Sequence, residues 1–195
     1  MSFRVIFFEF GISISQNKQN FKEMKILWCI TGAGQFLKEC AEILDGNDDV
    51  KTVAISEAGE DVLKMYGIKL NTEHKILEKE QGKAFPFCGK VCKGDYDLII
   101  AAPVTSNTVA KLAYGISDSL ITVIITQAIK SAIPVCLLPT DISEGYSITP
   151  KGRKIYVKIR EIDEENIERV AKQGVKILKN LTEIMEILDT KALRT

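Results

Sequence analysis

The stretch that decides the fold runs Asp97-Leu98-Ile99-Ile100-Ala101-Ala102-Pro103-Val104-Thr105-Ser106-Asn107-Thr108-Val109-Ala110-Lys111-Leu112-Ala113-Tyr114-Gly115. After its opening acid, Asp97 to Ala102 is apolar at every position. A half-exposed strand would alternate, so this one is buried on both faces, as in a parallel sheet covered by helices. Four polar side chains, Thr105 to Thr108, then open a segment with helical spacing up to Tyr114. One such side chain suffices to cap a helix. The surplus suits a ligand carrying a phosphate, hydroxyls or a carbonyl-rich ring, and generous capping is the plainer alternative.

The same grammar of strand, turn and helix spreads outward from this point. Lys25 to Ile30 reads as a first strand and Thr31-Gly32-Ala33-Gly34 as a turn. Phe36, Leu37, Cys40, Ala41 and Leu44 follow at helical intervals until Asp45-Gly46-Asn47-Asp48 ends them. Val50 to Ser56 is a second strand and Glu57 to Tyr66 a second helix. Ser119 to Ser131 is a further helix and Pro134 to Leu138 a further buried strand. Lys154 to Ile159 alternates like an edge strand. Ile167, Val170, Ala171, Gly174, Val175 and Leu178 form one helical stripe that Leu181, Met185 and Leu188 extend. Residues 67–94 fit no pattern. The expectation is one α/β domain over 24–190, a doubly wound (Rossmann-like, flavodoxin-like) parallel sheet with helices on both faces.

Bulk properties narrow the function. The 195 residues carry 26 Lys+Arg against 26 Asp+Glu, which lacks the basic excess of a non-specific nucleic-acid binder. No apolar run reaches the length of a membrane span. The five cysteines, 29, 40, 88, 92 and 136, are odd in number and mostly sit in apolar runs, so they read as reduced thiols of a cytoplasmic protein. Cys88 and Cys92 make at most half a metal site, and His74 is the only histidine, so no metal site and no catalytic triad is expected. The lysine and glutamate alternation of 73–83 reads as solvated surface. Residues 1–23 read as a loose extension, with a natural start at Met24 as the alternative.

In parallel sheets of this kind ligands bind beyond the carboxyl ends of the strands. That rule selects Thr31–Gln35, Ser56–Gly59 and Pro103–Asn107. The first turn begins like G-x-G-x-x-G, but Leu37 stands where the last glycine belongs, and the second strand ends in Ser56 rather than an acid. Both departures favour a mononucleotide over a dinucleotide, with a plain tight turn as the alternative.

The run from Asp97 to Thr122, with Ala110-Lys111-Leu112-Ala113 and Gly115-Ile116-Ser117-Asp118 inside it, resembles the homo-oligomeric FMN proteins. That family includes phosphopantothenoylcysteine decarboxylases, lantibiotic peptidyl-cysteine decarboxylases and flavin prenyltransferases. Ile30-Thr31-Gly32-Ala33 is similar to the family's first-strand motif, and the likeness covers about residues 24–140. The resemblance implies an FMN cofactor. Thr31, Gly32 and Ala33 would lie against the flavin or its phosphate, Ser56 near the phosphate, and Thr105, Ser106, Asn107 and Thr108 along the cofactor. Gly34, Gln35 and Pro103 from the same turns, with Thr140 after the later strand, complete the expected contacts. The decarboxylase histidine is missing between 75 and 97, and Leu138-Pro139-Thr140-Asp141 replaces Pro-x-Met-Asn, so decarboxylation is not expected. With Trp28 to Gly34 at the front, the chain looks most like the archaeoflavoprotein branch, whose near relatives include dihydromethanopterin reductases. That likeness implies a redox flavoprotein fed by ferredoxin, or alternatively a pterin reductase. It also implies a homo-oligomer, trimer-based or dimeric, supported by the strongly apolar helix Ile121 to Ile133. Lys79, Lys83, Lys90 and Lys93 are the candidate lysines for meeting an acidic ferredoxin.

Overall fold

The computed structural model describes residues 24–48, 50–72, 74–82 and 84–192; the expected extension over 1–23 lies outside them. Six strands form one wholly parallel sheet: β1 (Ile26–Ile30), β2 (Val50–Ile55), β3 (Lys75–Leu77), β4 (Leu98–Val104), β5 (Val135–Pro139) and β8 (Lys176–Ile177). Their spatial order is β3-β2-β1-β4-β5-β8. The order therefore reverses between β1 and β4, and the crevice at that switch point is where such folds bind ligands. At the opposite end of the same strand pair, Asp97 Oδ2 accepts from Lys25 N at 2.8 Å and Asp97 N donates to Lys25 O at 2.9 Å.

Every residue of β1, β4 and β5 is buried. Alternate residues of these strands feed two cores, one on each face. On one face Ile26, Trp28 and Ile30 meet α1 (Leu37–Asp45), α2 (Glu57–Met65) and α7 (Leu181–Ala192) through Leu37, Leu63 and Ile184. On the other, Leu27 and Cys29 meet α3 (Cys88–Cys92), α4 (Ser106–Ala113), α5 (Leu120–Lys130) and α6 (Glu161–Ala171). Helices thus cover both faces, which is the doubly wound arrangement expected from the unalternating strands. Among the described residues no helix is long and apolar enough to cross a membrane.

Two expected elements take another form. Lys154 to Ile159 is not an edge of the main sheet: β7 (Lys154–Val157) pairs antiparallel with β6 (Gly145–Ile148) as a separate two-stranded ribbon. The C-terminal stripe is not one helix. Gly174 has φ 88°, a left-handed conformation that ends α6, and the chain then re-enters the sheet as β8 beside β5. The unassigned 67–94 contains β3, a single 3₁₀ turn at Glu78–Glu80 and α3. All five cysteines are free thiols, and all but Cys92 are buried. Burial pushes the Cys88 thiol up to about 11 and that of Cys136 up to about 12.

The first turn of α2 passes so close to the end of β1 that Gly59 has no room for a side chain. A Cβ there would lie 3.0 Å from the Ile30 carbonyl oxygen and 3.2 Å from Ile55 Cγ2. Gly59→Ala should therefore lower stability by about 1–3 kcal/mol although alanine favours helix, a result read from urea unfolding midpoints. A stabilised variant would show that α2 shifts outward at no cost.

Candidate functional site

The crevice between β1 and β4 is built from the ends of three strands. Val104 ends β4, and Thr105 then turns the chain into α4. Thr105 caps that helix: its hydroxyl accepts from Thr108 N at 3.2 Å and shares a hydrogen with Thr108 Oγ1 at 3.0 Å. The carbonyls leading into this turn are each held from a different side. Trp28 Nε1 donates to Ala102 O at 2.6 Å. Thr31 donates to Pro103 O through both its backbone N, at 3.2 Å, and its hydroxyl, at 3.1 Å. Thr140 does the same to Val104 O, at 2.8 Å and 3.2 Å. The Thr31 hydroxyl also accepts from Thr105 N at 2.9 Å, closing β1 and β4 into one unit.

These bonds sort the expected contact residues. Thr31 and Thr140 are buried and spend their hydroxyls on the turn. Thr105 and Thr108 spend theirs on the helix cap. Ser106 is half-buried and Asn107 exposed, and their side chains have no hydrogen-bond partner among the described residues. They are the polar groups that α4 turns towards solvent at its N-terminus, where unpaired backbone N–H groups and the helix dipole favour an anion or a polar ring edge. Ser56 is buried and caps α2 by accepting from Gly59 N at 3.0 Å, while its own N–H donates to Ile30 O at 3.0 Å. Pro103 and Ala33 are buried backbone-shaping residues. Gln35 Oε1 accepts from Asp141 N at 3.0 Å and ties the first turn to the end of β5.

The two glycines of the first turn are small for a reason that lies within the chain. A Cβ on Gly32 would stand 2.7 Å from Ala58 Cβ, and one on Gly34 would stand 2.5 Å from the Tyr66 hydroxyl. Their smallness lets α2 and Tyr66 close on the turn. Phe36 follows with φ 63°, so α1 starts without a side-chain cap.

Three residues shape the crevice through contacts that the sequence does not assign to them. Trp28 reads as one more apolar strand residue, although a buried indole N–H needs an acceptor. Gly59 sits inside a helical pattern, where an isolated glycine is the available signal of close packing. Glu78 lies in the alternating run expected to be solvated, yet its carboxylate accepts from Glu57 N at 2.9 Å and from Leu120 N at 2.8 Å. One side chain thus joins the N-termini of α2 and α5. The neighbouring Lys79 is also engaged, 2.7 Å from the largely buried Glu60 carboxylate, and Lys90 lies over the Phe87 ring. Lys83 falls outside the described residues, and among the described residues Lys93 has no such partner. Much of the apolar surface of α5 is absorbed within the chain: Ile121, Ile124, Ile125 and Ala128 are buried in their own core, while Val123 and Ile129 stay partly exposed.

Comparison with known proteins agrees with this architecture. The flavoprotein family model matches residues 14–193. An uncharacterized protein of Methanocaldococcus jannaschii is 37% identical over 176 residues, covering 85% of this chain and 94% of that one. A dihydromethanopterin reductase (acceptor) of the same organism is 38% identical over 156 residues, covering 69% of this chain and 63% of the reductase, so the match spans less than two thirds of that enzyme. Among solved structures, Burkholderia xenovorans DmrB in complex with FMN, described as a cubic protein cage for redox transfer, superposes with a TM-score of 0.76 at 26% identity, covering 88% of this chain and 97% of that one. The FMN-dependent cysteine decarboxylase TvaF shares the fold at 18% identity, with a TM-score of 0.63. The family match runs through every strand and helix described above, and the protein belongs to the flavoprotein family.

Proposed function

We propose that the chain binds FMN in the crevice between β1 and β4 and works as a redox flavoprotein, taking electrons from a ferredoxin-type donor and passing them to a separate acceptor. The observation that carries this reading is the pair Ser106 and Asn107. Among the described residues their side chains have no hydrogen-bond partner, and they stand at the N-terminus of α4 on a turn whose carbonyls are clamped from three directions. A site held that firmly is preorganised for a bound ring, and its remaining polar groups match the edge of an isoalloxazine or a ribityl chain. The donor set is all hydroxyl, amide and backbone N–H, which suits a polar, anionic cofactor; among the described residues no cluster of His, Cys, Asp or Glu could hold a metal. FMN supplies the electron chemistry when bound. The protein's part is to hold it, through Ser106, Asn107 and the backbone of Thr31–Gln35, and to limit access.

The absence of the dinucleotide glycine at Leu37 and of an acid after β2 supports a protein donor over a bound nicotinamide. A second reading has its own support. The 38% identity to dihydromethanopterin reductases favours a pterin as the acceptor of the flavin's electrons. Both readings share the flavin site and differ in what empties it. The cage of DmrB supports a homo-oligomer as the working form.

Three outcomes are expected. Asn107→Trp should fill the mouth of the crevice and abolish FMN retention, read as loss of the flavin absorbance bands, while the far-ultraviolet circular dichroism spectrum stays that of the parent. Full occupancy in this variant would remove the site. Mixed anaerobically, reduced ferredoxin should bleach the bound flavin quickly and NADH or NADPH slowly; rapid bleaching by a nicotinamide and none by ferredoxin would overturn the donor. Bleached protein that is reoxidised on adding dihydromethanopterin would select the pterin reading. Sedimentation should show an assembly larger than one chain, and a stable FMN-loaded monomer would refute it.

A further inference from the structure

The ribbon β6–β7 lies outside the main sheet and carries a surface unlike the rest of the chain. Residues 145–160 hold Lys151, Arg153, Lys154, Lys158 and Arg160 and no acid, in a protein whose charges cancel only when these five are counted. Arg160 is committed to Asp163, with both guanidinium contacts at 2.7 Å. The other four are exposed and have no ion pair among the described residues. Between them lies an apolar face. Tyr146 is 65% exposed, Ile148 66% and Tyr156 57%. Tyr146 and Tyr156 stand opposite each other in register and meet edge to face at 5.4 Å, and the Lys154 ammonium sits 4.2 Å above the Tyr146 ring. Glu144, one residue before the ribbon, accepts from the Tyr156 hydroxyl at 2.9 Å, so the rim is predominantly basic with one acid in it. An apolar centre with such a rim is the composition of an interaction site rather than of idle surface.

The ribbon is also anchored to the crevice. The Tyr66 hydroxyl, packed against Gly34, donates to Ile148 O at 3.2 Å. A cavity of about 80 Å³ between ribbon and first turn is lined by Gln35, Asp141 and Tyr146, among others. Whatever docks on the ribbon is therefore delivered beside the turn Thr31–Gln35.

We infer that this ribbon is the docking surface for a small acidic electron-carrier protein of the iron–sulfur class. The inference rests on the flavin reading of the adjacent crevice. Charge complementarity selects an acidic partner, and the modest area of one two-stranded ribbon suits the small, short-lived encounters of electron transfer. A second copy docking two-fold through the same ribbon would set basic face against basic face, and a copy docking head to tail is read from the sedimentation of the ribbon variant. A nucleic acid would call for a basic excess extending beyond one hairpin, and the chain has none. In each encounter one reduced carrier gives up one electron and leaves oxidised. Two encounters, with two protons from solvent, reduce one flavin.

The test replaces Lys151, Arg153, Lys154 and Lys158 together by Gln in the full FMN-loaded chain. Glutamine keeps the side-chain stems, and FMN content reports that the site is intact. Titration with oxidised ferredoxin at low salt should show at least a tenfold weaker Kd than the parent, and the steep loss of affinity with added salt should flatten. Bleaching by reduced ferredoxin should slow in step, while bleaching by dithionite stays the same. Lys90→Gln with Lys93→Gln, on and beside α3, should change neither. Equal affinity and salt dependence in the ribbon variant overturns the inference, as does a loss confined to the α3 variant. So does a variant that keeps its affinity for ferredoxin but loses binding to a single-stranded oligonucleotide, or whose sedimentation shows that the parent assembly has come apart. A parent that binds ferredoxin through the ribbon yet takes no electrons keeps the docking surface and loses the relay. A parent that holds FMN and does not bind ferredoxin loses the docking surface and keeps the flavin site.

Discussion

The clamped end of β4 is the constraint on which the rest of the structure depends. Backbone carbonyls buried at a strand end need partners, and a turn into a helix takes them out of the ladder. Here each is satisfied by a different neighbour: Ala102 by the Trp28 indole, Pro103 by Thr31 and Val104 by Thr140. Because β1 and β5 flank β4, the three bonds also lock the carboxyl ends of the central strands together. Losing the Trp28 indole would take the side-chain donor from the buried Ala102 carbonyl, at a cost of about 1–3 kcal/mol, whereas Pro103 O and Val104 O each keep a backbone N–H donor if the threonine hydroxyl is lost. The same bonds set where α4 begins, and with it the positions of Ser106 and Asn107.

Around that clamp the rim is assembled from contacts that leave little slack. Gly32 admits Ala58, Gly34 admits Tyr66, and Tyr66 reaches on to Ile148 of the ribbon. Glu78 draws the N-termini of α2 and α5 to a single carboxylate, a favourable place for negative charge because both helix dipoles point at it. The crevice, the helix starts and the ribbon are thus linked through short side-chain contacts. Substitutions at the glycines would be felt at the ribbon as well as at the turn.

How much of this was legible in the sequence follows from what each signal physically encodes. Unalternating apolar runs such as Asp97 to Ala102 mean burial on both faces, and the central strands appear where those runs lie. Polar residues directly after such strands locate the crevice. Short edge strands carry no such mark. Lys75–Leu77 has three residues, and Lys176–Ile177 has two, so their pairing with β2 and β5 is set by neighbours far along the chain. The stripe from Ile167 to Leu188 keeps helical spacing across a break because α6 and α7 each bury one face, and only the positive φ at Gly174 shows that the chain turns between them.

Side-chain roles divide in the same way. The sequence by itself determined the doubly wound class, the turns at which a ligand meets the strands and the balance of charge, because these follow from local spacing and composition. Tertiary structure alone decided which hydroxyls are already spent. Thr31 and Thr140 look as ligand-ready as Ser106 until the Pro103 and Val104 carbonyls are placed beside them. It also decided that Glu78 bridges two helices and that the basic ribbon sits next to the first turn. The reason is physical: a hydrogen bond or a charge pair is a property of two groups, and these partners lie from 21 to 82 residues apart in sequence.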